Sequence, residues 1–207
     1  MKKNNNYEIR SVAEQPVVGE GRTISGYAIV WDVESRVLWD FDGDFIEIIE
    51  RGAVDDALIA SSDVKALYNH SDNQLLARSV NGSGTLRLSI DDHGLRFEFD
   101  APYTSLGNDV LELVRRGDLR GCSFAFRTDS ENVSYSHRDG VRLRRVKRLL
   151  ALYDVSVVVE PAYTQTSVDA RSWDAPPSRK DVLEEPPALS AELAELRAEL
   201  RRTEIKY

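Results

Sequence analysis

The sequence predicts a mainly β domain of α+β class: an antiparallel β-barrel, or a sandwich, with a few flanking helices and a helical C-terminal tail. Three observations carry this. Alternating or β-branched runs recur up to about Ala162, short Asp- and Gly-containing turns join several of them, and only two stretches before that point show helical spacing. Barrel closure is the favoured arrangement because it removes exposed sheet edges.

The elements follow in order. GRTISGYAIVW (Gly21 to Trp31) is β-branched and aromatic, with Gly26 as a candidate bulge. DFIEIIE (Asp44 to Glu50) alternates, AVDDALIA is a short helix candidate, and VKALYNH is the next strand, running out at His70. TLRLSI and LRFEFDA flank Asp91-Asp92-His93-Gly94, a hairpin signal. Leu106, Val110, Leu113 and Val114 then fall at helical spacing, with Ser105 or Asn108 as candidate caps and Gly117 suited to a left-handed exit. CSFAFRT follows, then a hairpin from Val133 to Arg148 turning at Arg138-Asp139-Gly140, then the long strand LALYDVSVVVEPAY, stopped by Pro161. This organisation gives a β domain over 1–171, a proline-rich linker over 172–188 and an amphipathic helix over 189–207. In that helix Leu189, Leu193, Leu196 and Leu200 form an apolar stripe, read either as docking on a partner helix or as a solvated, frayed helix.

Composition narrows the function classes. The chain has 207 residues, of which 42% are hydrophobic and 30% charged, with a net charge of −8. That charge disfavours nucleic acid as a partner. No apolar run approaches the roughly 18 residues of a membrane span. The N-terminal MKKNNNYEIR lacks the apolar stretch of a secretory signal. A single cysteine, Cys122, excludes an internal disulfide and fits a reducing, cytosolic setting. No metal or organic cofactor is implied. The basic run RLRRVKR (Arg142 to Arg148) reads as the wet face of a strand, or as a phosphate contact.

Few residues are available for chemistry. His93 and His137 sit in polar turns, where nothing fixes the ring. His70 differs: an apolar strand aims it and Ser71-Asp72-Asn73 leaves it open, so it is either a surface histidine or a base. In GDLRGCSFAF, strand parity places Cys122, Phe124 and Phe126 on one face, read as core. Ser123 and Ala125 fall on the other, read as accessible. Asp154 interrupts an apolar strand, where a carboxylate is costly unless paired. An arginine partner and a histidine partner both satisfy that requirement. Ser156 shares its face.

Taken together, ALYNHSDNQLLARS, GDLRGCSFAF and LYDVSVVVEPAYTQTSVDAR resemble the prohead proteases of tailed bacteriophages, a family with distant similarity to herpesvirus assemblin. The resemblance spans roughly Tyr7 to Arg171. It implies a barrel of the herpesvirus-protease-like type and a serine endopeptidase with Ser123 as nucleophile and His70 as general base. Asp154 stands where the family's strand motif is acidic. Since no histidine follows His137, a second histidine as third member is disfavoured. The implied substrate is the major capsid protein precursor with its scaffolding segment. Self-cleavage and self-association are implied too, inside the assembling procapsid in the host cytoplasm. Oxyanion donors are expected beside Ser123 or in the turn after Pro161. Two rivals stand beside this reading: a non-catalytic β-barrel that binds or scaffolds the virion, and a cysteine hydrolase using Cys122.

Overall fold

A computed structural model describes residues 7–12 and 14–159. Its first elements are β1 (Glu8–Val12), β2 (Val17–Val18), β3 (Thr23–Val30), β4 (Glu34–Asp40), β5 (Gly43–Ile49) and α1 (Asp56–Ser61). β6 (Asp63–Tyr68), β7 (Leu75–Val80), β8 (Ser83–Gly84), β9 (Leu86–Ile90), β10 (Gly94–Asp100) and α2 (Ser105–Arg116) follow. The last are β11 (Gly121–Arg127), β12 (Val133–Arg138), β13 (Val141–Val146) and β14 (Ala151–Val158). The expected linker over 172–188 and helix over 189–207 lie outside the described residues.

Local chemistry accounts for the punctuation. Asp139 and Gly140 have φ of 53° and 82°, the two left-handed positions that a two-residue hairpin loop needs between Arg138 and Val141. At the other expected hairpin, the Asp91 carboxylate accepts from the backbone N–H groups of His93 and Gly94, which closes the turn between β9 and β10. Helix α2 is capped by Thr104, whose hydroxyl accepts from the Gly107 N–H, so neither Ser105 nor Asn108 is the cap. Gly117 leaves the helix at φ 74° as expected, and its N–H bonds the Val114 carbonyl. Arg115 and Arg116 in the last turn complement the helix dipole.

The strands form three sheets, ordered β1-β11-β14-β6-β7-β8, β2-β3-β10-β9 and β12-β13-β5-β4. Two expectations are corrected here. Among the described residues no sheet closes on itself, so the ladders do not make a barrel. Nor is the pairing purely antiparallel: β6 with β14 and β5 with β13 run parallel. The sheets instead share a core. Ile24 and Ile29 from β3, Phe97 and Phe99 from β10, and Cys122, Phe124 and Phe126 from β11 belong to one buried cluster. Gly26 is where two sheets approach: a Cβ there would lie 2.8 Å from Cys122 Sγ and 3.1 Å from the Phe97 ring. Gly26 therefore serves close approach. The bulge sits two residues on, where Leu95 and Arg96 pair with Ile29 and Tyr27 and skip Ala28.

The basic run is also reassigned. Arg142 pairs with Asp40 and Asp42, and Arg144 is buried. Arg144 lies opposite Glu47 in the β13–β5 register and is ion-paired to it. Strand β1 adds Arg10, which grips Glu47 through Nε at 2.7 Å and Nη2 at 3.1 Å, and Glu8, which meets Arg144 at 2.6 Å. Arg144 faces inward because Glu47, only 2% exposed, needs cationic partners, whereas Lys147 and Arg148 are solvent-facing as expected. Two acids and two arginines thus tie the edge strand of the large sheet to a second sheet.

Candidate active site

Four neighbouring chain segments build one polar cluster on the large sheet. Antiparallel pairing of β11 with β14 sets Ser123 opposite Ser156 and Ala125 opposite Asp154, so both serines and the carboxylate share a face. Parallel pairing then sets β6 beside β14, with Ser156 opposite Leu67 and Asp154 opposite Lys65. His70 lies past the end of β6 and must fold back to reach Asp154. It does so through two consecutive left-handed residues, Asn69 at φ 51° and His70 at φ 56°. Such backbone is uncommon for residues other than glycine and is held here by surrounding bonds. The Asn69 N–H donates to the Val157 carbonyl at 3.1 Å, the Asn69 side chain accepts from the Val159 N–H at 3.3 Å, and the Ser71 N–H donates to the Tyr68 carbonyl at 3.2 Å.

The result is a continuous relay. His70 Nε2 lies 2.6 Å from Ser123 Oγ, and His70 Nδ1 lies 2.7 Å from Asp154 Oδ1. A carboxylate only accepts, so Nδ1 carries a hydrogen. In the neutral ring Nε2 is then the acceptor for the Ser123 hydroxyl. Ser156 Oγ donates to the same Asp154 oxygen at 2.7 Å, fixing its position. The His70 and Asp154 side chains are 17% and 11% exposed, so solvent screens their interaction weakly. Beside the relay, the Tyr7 and Tyr153 rings pack at 5.7 Å. Burial, reinforced by the Asp154 charge, pushes the Tyr7 phenol upward.

The three residues singled out in the sequence are brought together, and the other two histidines are not. His93 bonds Glu14 at 2.6 Å in the β9–β10 turn, and His137 is exposed on β12 of another sheet. Cys122 has the core position expected of it. Burial pushes its thiol far above the usual range, which disfavours a thiolate nucleophile. One expectation fails: the Ser123 face is not accessible, and Ser123 is 0% exposed. Both β1 and the His70 turn cover it: Ser11 pairs directly opposite Ser123, and His70 Nε2 lies against its hydroxyl. Ser11 Oγ donates to Ser123 Oγ at 3.0 Å, and the Arg10 carbonyl lies 2.8 Å from Ser123 Oγ as a second acceptor for its single hydrogen. Sequence reasoning passed over EIRSV, because five residues with a buried arginine at the centre carry no clear alternation.

No metal-binding group of His, Cys, Asp and Glu occurs among the described residues. No curated protein and no solved structure matches the chain. A family model described as caudovirus prohead serine protease matches residues 5–179, which include all three members of the relay. With a match over that much of its length, the chain belongs to the caudovirus prohead serine proteases, a family of proteases of capsid maturation.

Proposed function

We propose that the protein is a serine endopeptidase that cleaves the capsid precursor in its scaffolding segment, and also itself, with Ser123 as nucleophile. The observation that carries this is the unbroken Ser123–His70–Asp154 relay. His70 Nε2 takes the hydroxyl proton as Oγ bonds to the peptide carbonyl carbon. The protonated ring then gives that proton to the leaving amine, and the C–N bond breaks. Water, deprotonated by the same nitrogen, releases the acyl group and restores Ser123. Asp154 holds the ring in the required tautomer and offsets the charge of the imidazolium. Backbone N–H groups must stabilise the oxyanion, and each such donor is worth about 2.7–4 kcal/mol. The reaction belongs inside the assembling procapsid in the host cytoplasm, where enzyme and precursor meet.

The test is co-expression with the cognate capsid precursor. Wild type should shorten the precursor to a defined fragment, and Ser123→Ala should leave it intact. Equal processing by both proteins would overturn the serine mechanism.

A further inference from the structure

We propose that the edge of β11 now held by β1 is the binding site for the extended chain of the substrate, and that β1 is a removable occupant of it. This rests on the reading of Ser123 as nucleophile.

Position is the first support. β1 is the end strand of its sheet, and its one backbone ladder among the described residues is to β11. With β1 in place Ser123 is fully buried, so no peptide reaches Oγ. Without it, β11 presents an open strand edge along Ser123, the surface that peptide ligands extend by adding a strand. A cavity of about 440 Å³ borders β1, walled by Ile29, Ile49 and Phe124 of the body as well as by Arg10, Ser11 and Val12 of β1 itself.

Hydrogen bonding is the second. The Ser123 hydroxyl has one hydrogen and two acceptors in reach, Nε2 of His70 at 2.6 Å and the Arg10 carbonyl at 2.8 Å. β1 therefore competes for the proton that the base must take. Ser11 donates into Ser123 Oγ and engages a lone pair needed for attack. A peptide carbonyl already lies against the nucleophile, but through its oxygen as an acceptor. β1 thus has the place of a substrate strand while opposing the reaction.

The ion cluster is the third. It splits into two neutral pairs: Glu8 with Arg10 on β1, and Glu47 with Arg144 on the body. Departure of β1 leaves no buried charge alone, whereas losing any one member would.

Val12 and Cys122 are direct cross-strand partners, and Cys122 is the one native cysteine. Antiparallel partners have Cα atoms about 4.5–5.5 Å apart, within disulfide range. Val12→Cys in the full chain therefore gives a lock that dithiothreitol opens. Two probes are read: a fluorescent peptide with the sequence of residues 7–13, and a fluorophosphonate that reports Ser123. Both should react with the reduced variant, and both should lose at least about tenfold on oxidation. Equal peptide binding in the two states, or none in either, overturns the proposal. Peptide exchange without fluorophosphonate labelling refutes the nucleophile and leaves the strand site standing. Glu8→Gln/Arg10→Gln is an independent probe: it removes the neutral pair that β1 carries and leaves Arg144 paired with Glu47, so no buried charge is left alone while β1 loses its charged bonds. Peptide binding should rise about tenfold. An unchanged or weaker affinity counts against the latch.

Discussion

Asp154→Asn separates orientation from structure most cleanly. The change is isosteric, and the amide oxygen can still accept from Ser156, so the local packing is retained. What is lost is a negative charge 2.7 Å from Nδ1 in a pocket where both side chains are mostly covered. Unit charges about 4 Å apart interact by about 4 kcal/mol at an effective dielectric constant near 20. The charge lost therefore corresponds to roughly 10³-fold in rate when the imidazolium forms. Flipped, with Nδ2 in the place of Oδ1, the amide instead donates to Nδ1, which favours the wrong tautomer and carries the loss toward the roughly 10⁴-fold seen for such a change in a well-studied triad. The assay is kcat on the capsid precursor, with thermal melting on the same preparation. The expected result is a 10³- to 10⁴-fold fall in kcat (about 4–5.5 kcal/mol) with little change in KM or Tm. A variant that keeps its kcat within tenfold while its Tm falls by several degrees would refute the role, leaving Asp154 as a structural partner of His70.

Other expectations concern the relay and its surroundings. Ser123→Ala and His70→Ala should each abolish processing, and the double variant should be no slower than either, because the members act as a unit. Gly26→Ala places a Cβ 2.8 Å from Cys122 Sγ and should cost about 1–3 kcal/mol in urea denaturation, with part of the loss recovered in Gly26→Ala/Cys122→Ala. Cys122 should resist iodoacetamide in the native state and react on unfolding; rapid native labelling would contradict its burial. Burial pushes the Glu8 carboxyl up, but Arg144 and Arg10 outweigh it and hold it below its ordinary 4.5. Its contribution is then complete above that value and lost as pH falls through the lowered one. The stability gap between wild type and Glu8→Gln should be constant near neutrality and shrink below about pH 4.5.

The parts of the fold that local chemistry dictates were legible. Asp139-Gly140 announces its hairpin, Gly117 ends its helix, and the parity of Cys122, Phe124 and Phe126 against Ser123 assigns the two faces of β11. Asp154 was informative because a carboxylate in an apolar strand demands a partner. Pairing between distant segments was not legible. Nothing in VKALYNH or LYDVSVVV signals that they lie parallel, since a strand buried on both faces carries no mark of direction. The inward turn of Arg144 was hidden for a related reason: its partner Glu47 lies 97 residues away, and alternation alone reads both as solvent-facing. The covering of Ser123 by β1 belongs to the same class, set by a contact 112 residues apart.

The place of β14 in the sheet has a consequence for how the protein is made. It is the last described strand in the chain, yet it enters the middle of the sheet, between β11 and β6. Until it is synthesised and inserted, those two strands have no common neighbour, His70 has no carboxylate, and nothing aligns its ring with Ser123. Contacts spanning 84 residues form slowly relative to local ones, because the loop must close before the contact stabilises it. A ribosome-bound chain that stops short of Ala151 therefore holds a serine and a histidine but no relay. On the proposed mechanism, hydrolytic competence is withheld from the nascent protein by strand order and arrives only when β14 has been inserted.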